Sequence, residues 1–128
     1  MNRRGEGTRI ERKMLWYLRL RLYRIITCNY YSPHGEIDII ASKGNTLIFV
    51  EVRSKTEKSA KIYGTPGESV DVRKQRNIIG SARHFINNCY ADYKYYRFDV
   101  LEVIKHKGDR FTINHIKNAF ICDMNNSH

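Results

Sequence analysis

At 128 residues, with 23 Lys and Arg against 13 Asp and Glu, the chain has the length of one domain and a net charge of +10 that suits a polyanionic partner. Its 41% hydrophobic content, with only 2 Pro and 8 Gly, excludes a disordered or low-complexity chain. The absence of any apolar run near the roughly 20 residues that span a bilayer, a charged start (MNRRGEGTRIERK) without a signal-peptide core, and three scattered cysteines (Cys28, Cys89, Cys122) lacking a CxxC pair give the expectation of a reduced, cytoplasmic protein with no membrane partner.

Residues 9–21 read as a helix, with Ile10, Met14, Tyr17 and Leu18 on one side and Leu15 at its margin. Glu11 projects between Leu15 and Leu18, inside that stripe, where a carboxylate is costly unless it pairs with an Arg or binds a metal. Residues 23–30, rich in β-branched and aromatic side chains, read as a strand, and Pro33-His34-Gly35 as a turn. Two further strands, 36–41 and 47–53, flank Gly44-Asn45, a two-residue hairpin turn in which Gly supplies the positive φ. After a polar loop over 54–70, Asp71 is placed to cap a helix that runs to about Asn87, with Ile78, Ile79, Ala82, Phe85 and Ile86 on its apolar face. In its first turn Gln75 falls mid-stripe and Lys74 at the edge, either facing a site or packing at the rim of the core. Residues 95–106 form a long strand, 110–115 a short final one, and 116–121 a closing apolar turn. The order αβββαβ plus a short C-terminal strand predicts a single α/β domain over 1–128, a mixed central sheet flanked by helices.

The hairpin carries the chemistry. A two-residue turn at Gly44-Asn45 pairs residues whose numbers add to 89, and Asp38 and Glu51 do. They become cross-strand neighbours on one face, with Cβ atoms about 4.5–5.5 Å apart. Glu36 shares that face from the first strand, and Arg53 from the second. Like charges directly opposite repel, and a hard divalent cation such as Mg²⁺ compensates them well. Solvated strand ends are the plain alternative. Two basic runs lie close by: Arg53, Lys55, Lys58 and Lys61, then Arg73, Lys74, Arg76 and Arg83. They suit phosphate contacts that grip a backbone without reading bases.

Gly35-Glu36-Ile37-Asp38-Ile39-Ile40, Phe49-Val50-Glu51-Val52-Arg53, Tyr63-Gly64-Thr65-Pro66, Lys74, Arg97-Phe98-Asp99-Val100 and Ile116-Lys117-Asn118-Ala119-Phe120 together resemble the YraN-like family, bacterial proteins of uncharacterised function related to Holliday junction resolvases and the PD-(D/E)xK nucleases. The resemblance runs from about residue 7 to 121. It implies a restriction-endonuclease-like fold and makes Glu11, Asp38 and Glu51 an acidic set for Mg²⁺ or Mn²⁺. The basic position of the Glu-x-Lys motif falls on Arg53, which stays protonated and so supplies charge but no general base. Lys55, two residues on, and Lys74 are the alternative amines. The family pattern has Gly before the first-helix Glu, where Ile10 stands, Ala where Met14 stands, and Gly near Leu22 to end the helix. Asp99 reads as structural, with Arg97 as its partner on the same strand face.

The leading expectation is a metal-dependent endonuclease acting on DNA, branched DNA included. Asp38, Glu51 and Glu11 would hold the metal, Arg53 would act beside them, and Lys55, Lys58, Lys61, Arg73 and Lys74 would hold nucleic acid, with Glu36 and Gln75 as further candidates. The rival is a non-catalytic nucleic-acid-binding module on the same fold, which Arg53 favours. A third reading is a scaffold whose basic face meets an acidic protein. By analogy with junction resolvases, which act as dimers, a homodimer enters as a candidate assembly.

Overall fold

The computed structural model describes residues 3–57, 70–89 and 92–121. Its elements are α1 (Arg3–Leu20), β1 (Arg24–Ser32), β2 (Gly35–Lys43), β3 (Thr46–Thr56), α2 (Val72–Asn87), β4 (Tyr95–Lys105) and β5 (Phe111–Phe120). The five strands form one sheet in sequence order. Every neighbouring pair is antiparallel except β3 and β4, which run parallel because α2 lies between them in the chain. This is the predicted α/β architecture, a mixed sheet with helices, and it is consistent with a nuclease-like fold. No described helix is long and apolar enough to cross a membrane.

Both faces of the sheet are covered. On one, Ile10, Met14 and Leu18 of α1 pack with Tyr23, Ile39, Ala41, Ile48, Val50, Leu101 and Val103. On the other, Ile78, Ala82 and Phe85 of α2 pack with Ile40, Leu47, Phe49, Phe98, Val100 and Phe120. The central strands therefore show near-continuous burial, as strands covered on both sides must. The Asp71 side chain accepts the Lys74 amide at 2.8 Å, so α2 begins where its cap predicts. Gly80 lets α2 close on the β1–β2 turn, since a Cβ there would stand 2.8 Å from Cγ of His34.

Three departures from the sequence expectation have a physical reason or change an element, while β1 and β2 differ by one or two residues at their ends. α1 begins at Arg3 rather than residue 9. β3 continues to Thr56, taking the first residues assigned to the loop, because it pairs with β4 along its whole length. The expected short strand and closing turn at 110–121 form one strand, β5, paired with β4 from Phe111 to Phe120. Its register shifts opposite Phe98–Val100, and Asn118 takes φ +53°, so a bulge breaks the alternation and imitates a turn in the sequence.

The end of α1 has the geometry that favours glycine. Tyr23 N–H donates to the Leu18 carbonyl and Leu22 N–H to the Arg19 carbonyl, both at 3.0 Å, which closes a Schellman motif with Leu22 at φ +68°. Leu22 is 81% exposed, so its side chain recovers little of that cost by packing. Leu22→Gly is expected to raise the unfolding free energy by about 1 kcal/mol. Urea denaturation of the two proteins checks this.

Candidate active site at the fork of β2 and β3

The hairpin has the predicted register. Lys43 pairs with Thr46, Ser42 with Leu47 and so on to Ile39 with Val50, with Gly44 at φ +59° in the turn. Beyond Ile39 the two strands part. β2 stays with β1 to its end, pairing Glu36 with Tyr31, while β3 stays with β4 as far as Thr56. Asp38 and Glu51 are the next residues in register and stand at this fork. The Val52 amide is satisfied there by a side chain, donating to Oδ2 of Asp38 at 2.8 Å.

Glu51 is buried and Asp38 partly so. Burial first, and then the hydrogen bond and charge of Asp38, push the Glu51 carboxyl up to about 7, against the opposing pull of Lys74 and Arg53. Lys74 Nζ lies 3.3 Å from Glu51 Oε2, and Arg53 Nε 3.7 Å from the same oxygen. The latter is too long for a hydrogen bond, and Arg53 Nε is a buried donor with no partner among the described residues. Glu36 adjoins the pair. Its carboxyl is raised by burial and by Asp38 and Glu11, and lowered by Lys74. A row of acids lined by two cations thus follows the fork.

The other expected residues fall as follows. Glu11 reaches only the rim, where Asn29 Nδ2 donates to its Oε1 at 2.8 Å. Asn29, at φ +53°, belongs to β1, the strand that α1 contacts. Glu11 is therefore held by an amide, and its charge reaches the fork through Glu36, whose carboxyl it helps to raise. Among the described residues no three His, Cys, Asp or Glu side chains are gathered to hold a metal, and the contact at the fork is that of the Asp38–Glu51 pair. Gln75 does not face the fork, because its Nε2 donates to the Val70 carbonyl at 2.8 Å and ties down the entry to α2. Arg73 is exposed. Lys58 and Lys61, with the Tyr63–Pro66 motif, lie outside the described residues.

Lys55 is a correction. It was expected to face nucleic acid or to offer an amine beside Glu51. Instead its Nζ lies 3.2 Å from Oε2 of Glu102, whose side chain is 2% exposed. Glu102 was missed. Alternation along β4 puts it on the face of Phe98 and Val100, so a carboxylate there was bound to need a cation, and Lys55 sits two residues beyond Arg53, which pairs with Glu102. The amine that does touch Glu51 is Lys74.

Asp99 is structural, as the sequence suggests, and more elaborately held than expected. Arg97 binds it bidentately at 2.8 and 2.9 Å, His115 Nε2 lies 2.7 Å from Oδ2, and the Asn118 amide donates at 3.1 Å. The bulge in β5 is what brings that amide to the carboxylate.

The family model described as uncharacterised protein family UPF0102 matches residues 10–103, which span every strand of the fork. The chain belongs to the UPF0102 family. A UPF0102 protein of Caldicellulosiruptor saccharolyticus is 42% identical over 121 residues, covering 94% of this chain and all of the relative. One from Persephonella marina is 41% identical over 118 residues, covering 92% and 95%, and one from Clostridium beijerinckii 45% over 105 residues, covering 81% and 83%. These UPF0102 relatives carry no activity in their names, so the chemistry rests on the fork itself.

Proposed function

We propose that this protein binds DNA and hydrolyses its phosphodiester bonds at the fork of β2 and β3 as a divalent-metal-dependent endonuclease. The observation that carries the reading is the contact between Asp38 and the buried Glu51 at the point where the strands part. Two adjoining hard oxygen donors that oppose each other's ionisation suit Mg²⁺ or Mn²⁺, and Asp38 and Glu51 would hold it. Such an ion supplies a polarised phosphate and an acidified water. The chain's own part is electrostatic. Arg53, with an unpartnered buried Nε, and Lys74, 41% exposed at its side chain, are the donors for the charge that develops on the phosphoryl oxygens. Lys74 takes the amine position that Lys55 vacates for Glu102. The Val52–Asp38 bond keeps the carboxylate from turning away.

The second reading, a non-catalytic nucleic-acid-binding module, is favoured by one observation: the two basic residues that follow Glu51 on its face are a guanidinium at 53 and an amine already engaged at 55. Incubation with branched, flapped, single-stranded and duplex DNA in Mg²⁺, Mn²⁺ or Ca²⁺ separates the two. Cleavage in Mg²⁺ or Mn²⁺ that is lost in Glu51→Gln supports the enzyme, and binding without cleavage supports the module. Light scattering of the same preparation tests the homodimer.

Binding itself is expected to follow the charge. Log affinity for DNA should fall linearly with log salt, with a slope near −0.9 per phosphate neutralised. Charge reversal at Lys58, Lys61 and Arg73 should lower affinity for all sequences alike and flatten that slope. Lys55 is unsuited to this test, since reversal there places two carboxylates together inside the protein. Fluorescence anisotropy over a salt series checks both statements, and a flat salt response would favour the protein-scaffold reading.

A further inference from the structure

A second site lies on the α1 face, near the hairpin turn, at the end of β2 and β3 away from the fork. There Tyr17, Arg21, Tyr23, Lys43, His115 and Lys117 line a half-open cavity of about 430 Å³. Lys43 points to that face by alternation with Ile39 and Ala41, which pack against α1. The volume falls in the range of ordinary small-molecule sites, about 300–1,000 Å³.

The inner wall is rigid. Asp99, 1% exposed, accepts two bonds from Arg97 and one from the Asn118 amide. Accepting from so many donors it is a carboxylate, so His115 Nε2 is the donor in their 2.7 Å contact. That fixes the ring and turns Nδ1 toward the Tyr17 hydroxyl, 3.4 Å away. Arg97 also donates to the Tyr23 hydroxyl at 2.8 Å, which locks the second tyrosine. Above this wall the cations are held by ring faces. The Arg21 guanidinium lies 3.7 Å from the centre of the Tyr17 ring, and Lys43 Nζ 4.8 Å from that of Tyr23. Among the described residues neither these two nor Lys117 meets a carboxylate.

Three cations that meet no carboxylate among the described residues, gathered around one space, call for more charge than a single carboxylate carries, and the space exceeds an inorganic ion. We infer that this cavity binds a nucleotide through a phosphate monoester, with Arg21, Lys43 and Lys117 around the phosphate and the Tyr17 hydroxyl, positioned by His115 Nδ1, beside it. A free mononucleotide and the phosphorylated end of a strand offer the same chemistry. The inference is independent of the fork, which lies on the other face.

Calorimetric titration at low salt with deoxyadenosine monophosphate, deoxyadenosine, and a dinucleotide with and without a 5′-phosphate tests it. The monophosphate is expected to bind at one site per chain and the nucleoside not at all. Lys43→Gln with Lys117→Gln, both exposed positions, should weaken it about tenfold or more, while Asp38→Asn leaves it unchanged. The His115 ring resonances should shift in the same titration. A phosphorylated dinucleotide that outbinds the monophosphate identifies strand ends as the ligand, and the reverse identifies free nucleotide. Absence of saturable binding, equal binding of the nucleoside, unchanged affinity in the double variant, or loss of binding in Asp38→Asn would overturn the assignment.

Discussion

Asp99→Ala is expected to cost about 3–5 kcal/mol of unfolding free energy, the size typical of breaking a buried ion pair from one side. The reason is what the substitution leaves behind. Arg97 keeps its charge with no counterion, the Asn118 amide loses its acceptor, and the bulge that shapes β5 loses its anchor. Denaturant unfolding followed by circular dichroism measures the loss. The pH dependence has a definite sign as well. Burial opposes ionisation of Asp99, but His115, Arg97 and the Asn118 amide outweigh it and hold the carboxyl below its usual value. A carboxylate with a depressed folded pKa contributes stability above its unfolded pKa, near 3.8, and loses it as pH falls toward the folded value. The wild type should therefore show an acid-side decline in stability that Asp99→Ala lacks.

Glu51 behaves in the opposite sense. Its folded pKa is raised to about 7 from an unfolded value near 4.5, so its contribution is fully present below about 4.5 and is lost as pH rises to about 7. The metal-free protein should become less stable across that window by about 3 kcal/mol, the free energy of a shift of that size. Asp38→Asn removes the second and third causes of the shift and keeps an oxygen acceptor for the Val52 amide. Burial, the first cause, remains, so the relief is partial. The variant should be more stable than wild type at pH 8 in EDTA by about 1–2 kcal/mol. Had Asp38 been one half of a simple buried salt bridge, the same change would be destabilising. Thermal melts at a series of pH values distinguish the two signs.

These expectations depend on features of unequal visibility in the sequence. The Asp38–Glu51 neighbourhood was legible because a two-residue turn with Gly at its positive-φ position leaves one register for the hairpin. The Asp71 cap and the apolar face of α2 were legible because both are local patterns. Side-chain partners set by neighbouring strands were not. Glu102 lies within the long strand read over 95–106, and its pairing with Lys55 becomes apparent only when β3 and β4 are known to run parallel in register. Glu11 entered the metal set through the family resemblance, and helical periodicity, which gives only its direction from α1, says nothing of Asn29, whose left-handed backbone in β1 offers an amide to it. The bulge at Asn118 hid the second half of β5 in the same way, since an added residue shifts the alternation on which strand recognition relies. The Asp99 partners divide along this line: Arg97 lies two residues away on the same strand, whereas His115 and Asn118 come from the next.

The central claim, that the fork holds a divalent cation between Asp38 and Glu51, is tested most directly by thermal melting at pH 8 of wild type and Asp38→Asn, each in EDTA and in millimolar Mn²⁺. Binding to the folded state alone raises the melting point by mass action. The wild type is expected to gain several degrees in Mn²⁺ and the variant none, although the variant starts higher in EDTA. A wild type unmoved by Mn²⁺, or a shift of equal size in both proteins, would contradict the claim.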